Sequence, residues 1–181
     1  MVNSFEVAFD MVVEIRKATD EDAKQLNRMV LVGLEDKRSE VYRENVEKFG
    51  VPEEYVRQAF SIQALTNAVR DRKQLFLVAV ENGTLVGFAQ TIRQDEKVAE
   101  LDRVFLIPEQ TGKGIGTRML NMTLDVLRNE GFSRLTVKAG KDEILARKFY
   151  EKNGFKLVHE VTVQAPWGRD LSLAIYELQI K

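Results

Sequence analysis

Gly112, Gly114 and Gly116 stand at alternate positions in the stretch PEQTGKGIGTRML, Pro108 to Leu120, between an apolar run and a pattern of helical period. Glycine in the first turn of a helix costs about 1 kcal/mol relative to alanine. Three of them there point to a backbone that has to stay bare for a ligand. The first N–H groups of a helix have no internal partner and lie at the positive end of its dipole, so the anion such a start takes is phosphate or pyrophosphate. An ordinary strand-to-helix turn is the plainer reading, but one glycine would serve for that. The loop does not fit the Walker pattern G-x-x-x-x-G-K-[ST]. Its G-x-G-x-G spacing lies more than halfway along the chain, where a dinucleotide fingerprint is not expected.

Other chemistries are removed by what the chain lacks. It has no cysteine and a single histidine, His159. Disulfides, thiolate metal sites and a cysteine carrying a covalent acyl group are therefore excluded. No triad and no metal centre is expected. His159 follows the run FKLV in a strand-like segment and reads as a structural or surface residue. With 27 basic and 28 acidic residues the charges nearly cancel, so neither nucleic acid nor a membrane surface is expected as a partner. Residues 1–12, MVNSFEVAFDMV, read as an N-terminal extension without the basic start and unbroken apolar core of an export signal. The expected address is cytoplasmic.

The elements that would hold the glycine loop follow from periodicity. VVEIRKATDEDA reads as a short strand, then a helix capped by Thr19 or Asp20 with acids in its first turn. After a charged region from Glu35 to Glu54, Pro52 suits the first turn of a helix through Tyr55, Ala59, Ile62 and Leu65. LFLVAV and TLVGFAQTI flank Asn82-Gly83, a strong hairpin signal. A further strand spans about Val98 to Ile107 and stops at Pro108. From Gly114 the rows Ile115, Met119, Met122, Val126 and Leu120, Leu124, Leu127 are helical, and Gly131 ends them. RLTVKAG is a strand, and DEILARKFYEKNG is a helix with Asp142 near its cap. FKLVHEVTV and LSLAIYELQI form a last antiparallel pair joined across QAPWGRD. One α+β domain over residues 13–181, a mixed and mostly antiparallel sheet flanked by helices, accounts for all of it.

The loop together with its surroundings, LDRVFLIPEQTGKGIGTRML followed by ARKFYEKNGF, resembles the acyl-CoA-binding motifs of the GNAT superfamily of N-acetyltransferases. That family's loop, R/Q-x-x-G-x-G/A, falls on Thr111, Gly112, Lys113, Gly114, Ile115 and Gly116. The motifs cover about Val98 to Phe155, and the order of elements extends the likeness over most of the chain. Two positions depart from the pattern. Thr111 stands where arginine or glutamine is usual, and Glu143 stands where many members have asparagine. A threonine hydroxyl still bonds a phosphate oxygen, while Lys113 and Arg118 are the nearby sources of positive charge.

The resemblance implies that acetyl-CoA is the co-substrate. It places main-chain groups of Val104, Phe105 and Leu106 along the pantetheine arm, as an added strand would lie. It also implies roles for two side chains. Glu100, on the strand before the loop, matches the glutamate that some members use as base, with Asp102 in reserve; a solvated strand carboxylate is the alternative. Tyr150 matches the acid that returns a proton to the CoA thiolate, with Phe149 expected to pack on Leu145 and leave Tyr150 facing the cofactor. An amine of lysine-like pKa costs about 4–5 kcal/mol to neutralise at pH 7, so a base or water relay is needed. Without cysteine, direct attack in a ternary complex is the simplest scheme.

The acceptor is not fixed by the motifs. Glu35 to Glu54 is rich in acids but carries lysines and arginines too, which a surface helix face explains. If several of those acids line the cleft, a polyamine or another small amine fits. A protein N-terminus or lysine, an antibiotic amine, and a non-catalytic acyl-CoA-binding sensor module are the alternatives.

Overall fold

Antiparallel pairing organises most of the chain, and one parallel contact breaks it. The computed structural model describes residues 13–181, and the N-terminal extension lies outside the described residues. The strands are β1 (Glu14–Lys17), β2 (Gln74–Glu81), β3 (Thr84–Arg93), β4 (Val98–Leu106), β5 (Arg134–Gly140), β6 (Lys156–Gln164) and β7 (Asp170–Gln179). The helices are α1 (Asp20–Glu35), α2 (Glu40–Tyr42, continued by a π-helical turn at Arg43–Lys48), α3 (Glu53–Ala59), α4 (Ile62–Arg70), α5 (Ile115–Asn129) and α6 (Ile144–Lys152). All seven strands form one sheet in the order β1-β2-β3-β4-β5-β7-β6.

The local signals that shape these elements are visible. Thr19 caps α1 in a capping box with Asp22, whose carboxylate also takes a 2.7 Å ion pair from Arg16 of β1. Asn82 and Gly83 both adopt positive φ, which suits the tight β2–β3 hairpin. The helix expected to run from Pro52 past Ile62 is instead two. Ser61 accepts the Ala64 N–H at 3.2 Å and starts α4 afresh, and Pro52 stands before α3 as its cap residue rather than inside it. The cap residue of α6 is Glu143, next to Asp142.

Both faces of the central strands are covered. In β2, Leu75 to Val80 are all buried, and alternate residues serve two cores. Leu77, Leu101, Leu135 and Tyr176 meet Met119 and Leu127 of α5 on one face. Phe76, Val78 and Phe88 meet Leu26, Val30 and Leu65 of α1 and α4 on the other. Between β3 and β4 the approach is close at Gly87, opposite Leu106. A Cβ there would lie 2.6 Å from the Phe105 carbonyl oxygen and against the Leu106 side chain. Backbone cannot yield as a side chain does, so Gly87→Ala is expected to destabilise the fold by about 2–3 kcal/mol, a fall in Tm of roughly 5–10 °C. Thermal unfolding checks this; an unchanged Tm would mean that the two strands can part there without cost.

Candidate active site

The site forms where the sheet splits. β4 and β5 pair in parallel only from Val98–Leu101 against Arg134–Val137. Beyond Leu101, β4 keeps β3 on one edge and has no strand on the other among the described residues, while β5 continues to Gly140 paired with β7. Backbone groups of Asp102–Leu106 on that open edge are therefore available to an extended ligand. The fork coincides with a break in register. Gln90 faces Arg103 and Thr91 faces Leu101, so Asp102 is an extra residue on β4, a β-bulge.

At the far end of the open edge lies the glycine loop. A short turn, Pro108–Gln110, leads into it, and Gly114 caps α5 from the left-handed region. Gly112 and Gly114 have φ of 73° and 79°, and a Cβ at either would meet no heavy atom within 4 Å. The main chain of this turn is thus open to solvent at the start of a fifteen-residue helix, with the first N–H groups of α5 unused by the helix itself. Gly116 has a different reason to be glycine. A Cβ on it would approach the Phe149 ring at 3.3 Å, so its bareness lets α6 sit close to α5. Ile115 buries its side chain in the core and offers only backbone to the loop.

The polar side chains around the loop are partly committed. Thr111 donates its hydroxyl hydrogen to the Pro108 carbonyl at 2.8 Å, and Lys113 donates to the Gln110 side chain at 3.2 Å. Arg118 donates to the Val13 carbonyl at 2.8 Å. Of the two expected sources of charge, Lys113 is the one on the loop itself. Glu143 turns back to accept the Gly140 N–H and lies 3.5 Å from Lys48, so its charge is partly matched within the fold.

Glu100 and Asp102 meet at the fork. Both Glu100 oxygens take hydrogen bonds from Lys138 of β5, at 2.9 and 3.0 Å, and one also accepts from Gln94 at 3.2 Å. Asp102 lies within electrostatic reach of both Glu100 and Lys138. Burial is the largest influence on it and holds its carboxyl above the ordinary aspartate range, although the side chain keeps 31% of its surface. Arg103, 3.3 Å away, and Lys138 pull it down, and the Glu100 charge pushes it up.

Tyr150 is buried, with 8% exposure, in a cluster of rings from Phe149, Phe155 and Tyr176. Desolvation raises its phenol well above the usual value, and the Glu143 charge adds to that, so the hydroxyl keeps its proton at any physiological pH. The expected packing of Phe149 on Leu145 is not what forms. Leu145 is 84% exposed, and Phe149 instead lies against Gly116.

A strap from the N-terminal half closes over this side of the sheet. The Trp167 indole N–H, in the β6–β7 turn, donates to the Phe49 carbonyl at 3.2 Å, and its ring meets Tyr55 edge-on at 6.1 Å. Lys48 reaches Glu143 from the same segment. Lys138, Lys48 and Trp167 were not singled out by sequence reasoning. In RLTVKAG, alternation shows only that Lys138 faces away from the core, and nothing local tells that Glu100 stands beside it.

Residues 36–155 match the Acetyltransferase (GNAT) family. The chain belongs to that family, and it is an N-acetyltransferase with acetyl-CoA as co-substrate. It is 30% identical over 151 residues to spermidine N(1)-acetyltransferase of Thermoplasma acidophilum, covering 81% of this chain and 90% of the relative. Among solved structures it is similar to the PaiA N-acetyltransferase of Thermoplasma acidophilum in complex with coenzyme A, with a TM-score of 0.69 and 26% identity over 93% of this chain and 99% of that one. The fold is also shared by YncA of Salmonella typhimurium, solved with acetyl-CoA, at a TM-score of 0.60 and 20% identity over 93% and 94% of the two chains. Among the described residues no group of three or more His, Cys, Asp or Glu is placed to hold a metal ion, and no helix is long and apolar enough to cross a membrane.

Proposed function

We propose that the chain transfers the acetyl group of acetyl-CoA directly to a primary amine of a small molecule, a polyamine or related diamine before others. The observation that carries this reading is the fork: an open β4 edge joins a bare helix start at one end to the carboxyl of Asp102 on the bulge at the other. A polyamine is favoured among acceptors because the Thermoplasma acidophilum relative named for spermidine aligns over most of both chains.

In this scheme the pyrophosphate rests on the backbone of Gly112 to Gly116, with Thr111 and Lys113 beside it, and the pantetheine arm lies along Val104, Phe105 and Leu106. Ile115 and Gly116 contribute N–H groups. The thioester then sits near the fork. The amine nitrogen attacks the acetyl carbon while a strand carboxylate takes one of its protons, and the carbon–sulfur bond breaks. Tyr150 gives a proton to the departing thiolate, for which its protonated phenol suits it.

Of the two carboxylates, Asp102 suits the base role better. Both Glu100 oxygens are taken up by Lys138, whereas burial shifts Asp102 toward accepting a proton. Glu100 then acts by keeping its charge near Asp102. The experiment is an acetyl-CoA turnover screen over a panel of amines, followed with a thiol reagent. The chain has no cysteine, so released CoA is read without protein background. Turnover with di- and polyamines is expected; acetyl-CoA binding with no turnover on any amine would overturn the reading in favour of a sensor.

A further inference from the structure

On the β4 side opposite the fork's open edge, a cavity of about 440 Å³ lies between α3, α4 and strands β2 to β4. Its polar lining is Asn67, Asp71, Gln74, Gln90 and Arg103, and Leu65 with alanines of α3 and α4 completes the wall. Arg103 is the neighbour of Asp102, so the cavity opens beside the bulge. Three of its side chains form a directed chain. Gln90 Nε2 donates to Gln74 Oε1 at 2.6 Å, and Gln74 Nε2 donates to Asp71 Oδ2 at 3.1 Å.

The direction of that chain is fixed by chemistry. Asp71 is held below the usual carboxylate range, first by the Lys73 N–H and then by Gln74, so it is an ion that only accepts. Gln74 must therefore turn its NH₂ toward Asp71 and its carbonyl toward Gln90. Gln90 must then turn its NH₂ toward Gln74, which leaves its own carbonyl oxygen as the acceptor still to be filled. Both guanidiniums near the ends have carboxylate partners elsewhere, although Nη1 of Arg93 is buried without one. Arg103 lies 3.3 Å from Asp102 and 4.8 Å from the Phe60 ring centre, and Arg93 forms a two-pronged pair with Glu130. Among the groups of this cavity the chain thus reads a hydrogen-bond donor.

The geometry points to this cavity as the subsite for the distal end of the acceptor, with Gln90, aligned by Gln74 and Asp71, receiving a second ammonium or amine N–H. This rests on the amine-acceptor reading above. It adds that the acceptor carries two nitrogens, one for the fork and one for the cavity.

Asp71→Asn provides a test with a reversed outcome. Its remaining oxygen is taken by the Lys73 N–H, so its new NH₂ faces Gln74. Gln74 and then Gln90 must flip, and Gln90 presents NH₂ to the cavity in place of the carbonyl. Initial rates are measured for a series of α,ω-diamines, with the monoamine and the ω-amino acid of matching length. Wild type is expected to favour the best diamine over its monoamine by about tenfold or more in KM. Asp71→Asn should lose that preference with kcat little changed and should gain activity on the ω-amino acid. Gln90→Met should lose the diamine preference without that gain. Equal KM values for diamine and monoamine in wild type, or a preference untouched by both variants, would overturn the subsite and leave the transferase standing. No turnover of any of the three amines would overturn the amine-acceptor reading itself, and the subsite with it. Tm values confirm that each variant is folded.

Discussion

Asp102→Asn is expected to lower kcat by about 10²–10³, the range for loss of a positioned general base. Wild-type activity should also fall on the acid side at a pH above the ordinary aspartate range, since burial holds the Asp102 carboxyl up and only its ionised form can take a proton. That acid limb should vanish in Asp102→Asn. In Glu100→Gln it should move to lower pH, because the Glu100 charge is one of the influences raising Asp102. Stability should respond with the opposite sign to activity. A carboxyl whose pKa is raised by folding is bound to its proton more tightly in the native state. Stability is therefore greatest below the unfolded pKa and declines as pH rises through the folded one. Removing the charge relieves that cost, so Asp102→Asn should melt at or above the wild-type Tm at neutral pH. A kcat within threefold of wild type would remove Asp102 from the base role, and thermal scans at two pH values test the second half.

Gly114→Val is expected to raise the KM for acetyl-CoA by about tenfold or more while leaving a folded protein. The position holds a φ of 79°, which a β-branched residue adopts only with strain of about 1–2 kcal/mol. No atom within 4 Å would obstruct the added Cβ, so the core is untouched. What changes is the path of the turn and with it the aim of the first N–H groups of α5, the groups proposed to receive the pyrophosphate. Gly116→Ala separates the two uses of glycine here. Its Cβ would meet the edge of the Phe149 ring, so its effect should appear first in Tm and only then in KM. Calorimetric titration with CoA distinguishes the cases. Undiminished CoA affinity in Gly114→Val would show that the loop backbone does not hold the anion.

What the sequence made legible was whatever depends on neighbours along the chain. Asn82-Gly83 set a hairpin because two positive φ values are needed in succession, and both residues tolerate them. The glycine loop was legible for the same reason. Its three glycines nevertheless have two causes, and only Gly116, whose bareness serves the Phe149 contact, needed the packed structure to be understood. The break between α3 and α4 was present as Ser61, a cap residue overlooked beside a continuous apolar row.

The site itself is mostly non-local. Nothing in LDRVFL marks Asp102 as a bulge, because the extra residue is defined only by its partners, Gln90 and Thr91, on β3. The fork depends on how far β5 can follow β4, a matter of two strands separated by all of α5. The pairing of Glu100 with Lys138 spans 38 residues and followed from no periodicity. Tyr150 was singled out by its motif, but its ring partners Phe155 and Tyr176 come from just before β6 and from β7. Where the chain departs from its family, the structure supplies a local use. Thr111 tightens the Pro108 turn, and Glu143 braces Gly140 and Lys48.

The claim that acetyl passes straight from CoA to an amine at the fork is tested most directly by initial rates measured over a grid of acetyl-CoA and amine concentrations. Direct transfer requires both substrates bound together, so the double-reciprocal lines should intersect. Parallel lines would show CoA leaving before the amine binds, with the acetyl group held on the enzyme between two half-reactions, and would contradict the account.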